Sequence, residues 1–246
     1  MGKKPVRIRV VMPLTGLSEA TVASRKETLQ RLKGPQTEVE IVVIREGPSS
    51  IESAYDEAYA ARETLREVVR AEQEGADAAI IWCAGDANLV PARELVSMPV
   101  VGPAGASFHI AGMLADRFTV LTILSELKPW ARRLVGSYGL EGRLASVRAI
   151  DIPVLELEKS EDRLLEKAVD ESVKAIVEDG AAAIVLGCMG MIHLSDRLAV
   201  RLREKGFAVP VINPAFACLK VAEMLVEMRL SHSKVSYPLP RKVEGL

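Results

Sequence analysis

Aromatic residues make up only 4% of this 246-residue chain, which argues against the stacked-base platforms of single-strand nucleic-acid binders. No charge of one sign prevails. With 32 Lys and Arg against 33 Asp and Glu, the net charge is −1, so a strong pull on nucleic acid or anionic lipid is not expected. Cysteine and histidine number three each. The cysteines are far apart, with no CxxC and no Cys/His ligand spacing. That pattern argues against a zinc site or a disulfide framework and fits a reducing, cytoplasmic setting. Long apolar runs are missing too. Stretches such as Ala181–Ile192 contain Gly and are too short to span a bilayer, and Met1–Arg9 leads into no signal-like apolar segment before Pro13. The Gly-rich "GPAGAS" at Gly102–Ser107 has neither G-x-G-x-x-G nor a Walker pattern, so nucleotide binding is not expected.

What the chain does have is an internal duplication. "RIRVVMP" at Arg7–Pro13 and "RFTVLT" at Arg117–Thr122 both read as β-branched, apolar strands. Val39–Arg45 pairs with Leu144–Asp151. The helical periodicity of Ser50–Glu74 returns at Ser160–Asp179, and "GADAAIIWC" at Gly75–Cys83 returns as "GAAAIVLGC" at Gly180–Cys188. Each half then runs to a Pro-led strand, Met98–Ala104 or Val209–Ala215. Strands alternating with helices predict parallel βαβ units with right-handed crossovers. Continuous apolar strands predict sheets covered on both faces. The expectation is an α/β chain of two similar flavodoxin-like domains of about four strands each, related by a pseudo-twofold axis across a cleft. Their boundaries are residues 1–105 plus 215–246 and residues 106–214. The charged run Arg62–Glu74 reads as a solvated helix face, and Cys218 as a core residue of a closing helix.

Cys83 and Cys188, 105 residues apart (188 − 83), close equivalent strands. In open α/β sheets, ligands sit beyond the carboxyl ends of strands. A turn or helix start after each cysteine offers backbone N–H groups that favour a thiolate. Core packing is the plain alternative for any single Cys, but two at equivalent ends of a duplicated unit point to a pair of acid/base groups. One thiolate would remove a proton from a carbon acid and the other thiol would return one to the opposite face, inverting the centre. Ala84, Gly85 and Asp86 follow Cys83, and Met189 and Gly190 follow Cys188. These are the candidate substrate contacts, with backbone amides for a developing oxyanion. Thr15 and Thr122 are taken as equivalent strand-end hydroxyls. Asp86 also has a turn or cap reading, and His193 reads as a supporting or surface residue.

Several segments carry a family likeness: "GPSSIESAYDEA" at Gly47–Ala58, "CAGD" at Cys83–Asp86, "ARELVSMPVVG" at Ala92–Gly102, "YGLEGRLASVRAIDIPVLELE" at Tyr138–Glu158 and "VLGCMGM" at Val185–Met191. Over nearly its whole length the chain resembles the hydantoin racemase branch of the aspartate/glutamate racemase superfamily. The resemblance implies two-cysteine acid/base catalysis by Cys83 and Cys188 on a small-molecule substrate. It implies no metal or other cofactor, two flavodoxin-like domains, and a homo-oligomer. The chain departs from the family's usual residues at Leu14, Trp82, Ala84, Gly105, Met189 and Asn213. Large apolar residues at 14, 82 and 189 are read as pocket neighbours that favour a neutral, 5-substituted hydantoin or related ureide over a dicarboxylic acid.

Overall fold

The computed structural model describes residues 4–157, 161–243 and 245. The chain divides into two compact units, Met1–Pro103 with Cys218–Leu246, and Ala104–Ala217. In the first unit, β1 (Val6–Met12) leads through α1 (Glu19–Leu32) to β2 (Thr37–Val43). Next come α2 (Ala54–Gln73), β3 (Ala78–Ile81), α3 (Leu89–Leu95) and β4 (Val100–Val101). The second unit contains α4 (Pro103–Leu114) from Ala104 onward, β5 (Phe118–Thr122), α5 (Lys128–Ser137) and β6 (Leu144–Ala149). It continues with α6 (Glu161–Val177), β7 (Ala183–Leu186), α7 (Ser195–Glu204) and β8 (Val211–Ile212). The last helix, α8 (Pro214–Glu227), runs from the second unit into the first. Of the expected second long helix, Ser160 lies outside the described residues.

Both sheets are four-stranded and wholly parallel, ordered β2-β1-β3-β4 and β6-β5-β7-β8. This is the doubly wound order of the flavodoxin type without its last strand. Helices on both faces explain the composition of the inner strands: every residue of "AAII" in β3 and "AIVL" in β7 is buried. The helices begin where the sequence signals them. Ser18 and Ser53 accept hydrogen bonds from the N–H groups of Thr21 and Asp56. Gly75 and Gly180, at φ +82° and +72°, end the turns after α2 and α6 in the left-handed conformation that Gly adopts freely.

In the second unit the core is one cluster joining Leu121, Ile150, Leu164, Ile184, Leu198 and their neighbours. Each such Leu or Ile contributes about 1.5–3 kcal/mol by leaving water. In the first unit, the run Arg62–Glu74 departs from the solvated reading. Glu63 and Glu67 are buried beside Ala60, Thr64, Val68 and Ala71, because those positions share one helical face. Among the described residues, no helix is long and apolar enough to cross a membrane.

Candidate active site

Parallel strands present their carboxyl ends along one edge of each sheet. In this strand order a crevice opens between the first and third strands of a unit, whose following connections leave to opposite faces. In the first unit the loops at that point are residues 13–18 after β1 and 82–88 after β3. In the second they are residues 123–127 after β5 and 187–194 after β7.

Each cysteine stands two residues past its strand, and hydrogen bonding fixes both at the same register position. Val11 pairs with Ile81, and the next N–H, that of Trp82, donates to Val11 O at 2.8 Å. Leu121 pairs with Leu186, and the next N–H, that of Gly187, donates to Leu121 O at 2.9 Å. Cys83 and Cys188 come next, both half-buried and neither in a disulfide. In each loop the N–H three residues on closes a turn onto the cysteine carbonyl. Asp86 donates to Cys83 O at 2.9 Å, and Met191 donates to Cys188 O at 3.1 Å. After Cys188 the chain winds into a 3-10 turn (Met189–Leu194), and Gly190 N–H donates to Cys188 Sγ at 3.4 Å. An N–H aimed at sulfur favours its ionised form. A Cβ at Gly190 would lie 2.5 Å from Leu157 Cδ1 and 3.6 Å from that sulfur, so a larger residue there would have to displace the Leu157 side chain.

The third thiol is different in kind. Cys218 is fully buried in α8, and burial, reinforced by the charge of Asp86, pushes it far above the ordinary thiol range.

The strand-end hydroxyls need re-pairing. Thr122 is the last residue of β5 and is buried, and its carbonyl accepts from Ile150 N–H. The same bond in the first unit runs from Ile44 N–H to Met12 O. Thr122 therefore corresponds to Met12, and the counterpart of Thr15 is Ser125. Thr15 is exposed and donates to Pro48 O at 3.2 Å, while Ser125 N–H donates to Asp151 Oδ1 at 2.9 Å. The signal was present in the sequence: aligning Arg7 with Arg117, an offset of 110 (117 − 7), brings Thr15 onto Ser125. Both arginines start their strands equivalently, accepting at their carbonyls from Asp77 N–H and Ala182 N–H.

The neighbours of the thiols also differ from the apolar-pocket reading. Trp82 is 1% exposed, packed in the core of the first unit, so it is no wall of an open pocket. Leu14 and Met189 are buried as well, whereas Ala84 and Gly85 are half-buried in the turn. His193 is exposed. Asp86 is buried, with φ +53°, and its carboxylate fills the place that a Cβ on Gly102 would take. Its charge also helps raise the carboxyl pKa of Glu57, after burial and against the N–H of Asn88. Among the described residues, no group of three His, Cys, Asp or Glu side chains is placed to hold a metal ion.

Comparison with known proteins identifies the family. The family model described as Asp/Glu/Hydantoin racemase matches residues 8–222. The chain is 37% identical to a hydantoin racemase of Pseudomonas sp. (strain NS671), over 97% of this chain and 94% of that one. To a hydantoin racemase of Rhizobium meliloti it is 39% identical over 89% of each. The solved allantoin racemase from Klebsiella pneumoniae superposes with a TM-score of 0.88 at 38% identity, covering 97% of this chain and 95% of that one. With thiols at matched strand ends and likeness along almost its full length, the chain is an isomerase of the racemase type and belongs to the Asp/Glu/Hydantoin racemase family.

Proposed function

We propose that the chain racemises 5-substituted hydantoins, allantoin among them, without a cofactor, and that Cys83 and Cys188 are its two acid/base groups. The observation that carries this reading is the identical register of the two half-buried cysteines, each two residues past the third strand of its unit. Packing alone demands no such match.

In the proposed reaction the thiolate of one cysteine takes the proton from C5 of the ring. The electron pair moves into the adjacent carbonyl, and the oxygen gains charge. The thiol of the other cysteine then donates its proton to the opposite face of C5. One proton enters and one leaves, and the two sulfurs end with exchanged protonation states. Gly190 N–H supports the thiolate of Cys188. Backbone amides at Ala84 and Gly85, and at Met189, are the proposed donors to the ring oxygens. Thr15 and Ser125 are the proposed hydroxyl contacts, and Asp86 shapes the Cys83 loop. Residues 82–88 and 187–192 include no Lys or Arg. A free dicarboxylate would lack a paired cation there, and its desolvation would be costly, whereas a neutral ring pays no such penalty.

The test is a single enantiomer of an alkyl hydantoin, an aryl hydantoin or allantoin, incubated with the enzyme in deuterated water. Polarimetry should show racemisation with one deuterium entering at C5. Racemisation of aspartate with inert hydantoins would overturn the substrate assignment. Full activity in both Cys83→Ser and Cys188→Ser would overturn the mechanism.

A further inference from the structure

Asn213 directly follows β8 and stands where the first unit has Gly102, since Val101 and Ile212 hold the same place in their ladders. Its side chain is fully engaged. Oδ1 accepts from Ala215 N–H at 3.0 Å and Phe216 N–H at 3.4 Å, capping α8. Nδ2 donates to Ile192 O at 2.9 Å and to Ser195 Oγ at 3.0 Å. Ser195 Oγ in turn donates to Ile192 O at 3.2 Å. Ile192 belongs to the 3-10 turn that begins at Cys188 and carries the Gly190 N–H on its sulfur. One amide thus ties the cysteine turn to the head of the next helix.

The first unit fills the equivalent place from the other side. Asp86, three residues after Cys83, sends its carboxylate into the volume next to Gly102 that a side chain would fill. In both units a polar side chain fills the space between the cysteine loop and the residue after the neighbouring strand, supplied by the loop in the first unit and by the strand end in the second. Resting on the proposed role of Cys188, we infer that Asn213 is a positioning residue for that thiol. Its amide N–H₂ is the working group. An aspartate of the same shape could still cap α8, but it could not donate to Ile192 O and would set two acceptors against each other.

Asn213→Asp keeps the volume and removes both donated bonds. Asn213→Ser keeps a neutral cap but is too short to reach Ile192 O, and it decides the matter should the aspartate variant fail to fold. Three readouts apply to the full-length enzyme: hydantoin racemisation, deuterium wash-in for each enantiomer, and the pH profile of iodoacetamide alkylation at each cysteine. Both variants should lose about 10–100-fold in kcat, as for a misplaced catalytic group, with KM changed less than about threefold. Alkylation of Cys188 should move to higher pH while that of Cys83 stays put. Wild-type kcat with an unmoved Cys188 profile would overturn the inference and leave the two-cysteine reading intact. Equal shifts at both cysteines, with loss of Tm, would reduce Asn213 to a general structural role and also overturn it. Turnover surviving in Cys188→Ser would instead bring down the proposed function, and this inference with it.

Discussion

The two cysteine loops leave their strands at the same register and differ in their turns and side chains. Before Cys83 stands Trp82, a fully buried indole. At the same register before Cys188 stands Gly187, where a mere Cβ would come within 2.9 Å of Val120 Cγ1 and 3.0 Å of Leu121 O. After Cys83 the chain makes a turn through left-handed Asp86 and Asn88. After Cys188 it makes a 3-10 turn. The strand ladder therefore places the thiols, and each unit fills the surrounding space with its own side chains. Duplicated units diverge most readily where packing, rather than hydrogen-bond register, is the only constraint.

The largest test of that equivalence is chemical. Replacing either cysteine by serine should lower kcat by at least about 10²–10⁴-fold. Each variant should still exchange deuterium into one enantiomer, a different one for each. Loss in one variant alone would make the two loops unequal in function. In the wild-type protein Cys218, raised by burial, should alkylate slowest of the three, as peptide mapping of labelled protein would show.

Next in size is the register position itself. Trp82→Ala should cost about 3–5 kcal/mol of stability by opening a core cavity. Gly187→Ala, a gain of one methyl, should cost about 1–3 kcal/mol by overpacking against β5. Denaturant melts decide both. A neutral Gly187→Ala would mean that the second unit has as much room there as the first.

The smallest effect belongs to the first unit. Its edge strand β4 is met by residues 231–237: His232 Nε2 lies 2.9 Å from both N and O of Val100, and Lys234 Nζ donates to the carbonyls of Arg93, Glu94 and Val96. Such a cover removes a sheet edge from solvent. Burial first, then the charge of Arg93, lower the pKa of His232 from 6.5 to about 4, against the Val100 bond. The folded chain thus prefers the neutral ring. The associated stability is present above about pH 6.5 and is lost as pH falls from there toward 4. Tm should drop more between pH 7.5 and 5 in the wild type than in His232→Gln, by a modest margin because the ring is partly exposed. Equal drops would show that the histidine contributes nothing to that acid sensitivity.

Much of this was legible without coordinates, for a physical reason. Alternating strands and helices, continuous apolar inner strands, Ser caps and Gly stops are local signals, and they specified two wound parallel sheets with a cysteine at the end of each third strand. Which residues face one another across a ladder is not local. Thr15 and Thr122 look equivalent as strand-end threonines, yet interstrand hydrogen bonds pair Thr122 with Met12 and Thr15 with Ser125. Trp82 beside a catalytic candidate looks like a pocket wall, but tertiary packing buries it almost completely. Glu63 and Glu67 look solvated until the face they share with Ala60 and Val68 is seen against the sheet. Asn213 lies 25 residues after Cys188 (213 − 188). Only the tertiary fold brings its amide to Ile192, because a hydrogen bond is decided by ångströms in space and leaves no period along the chain.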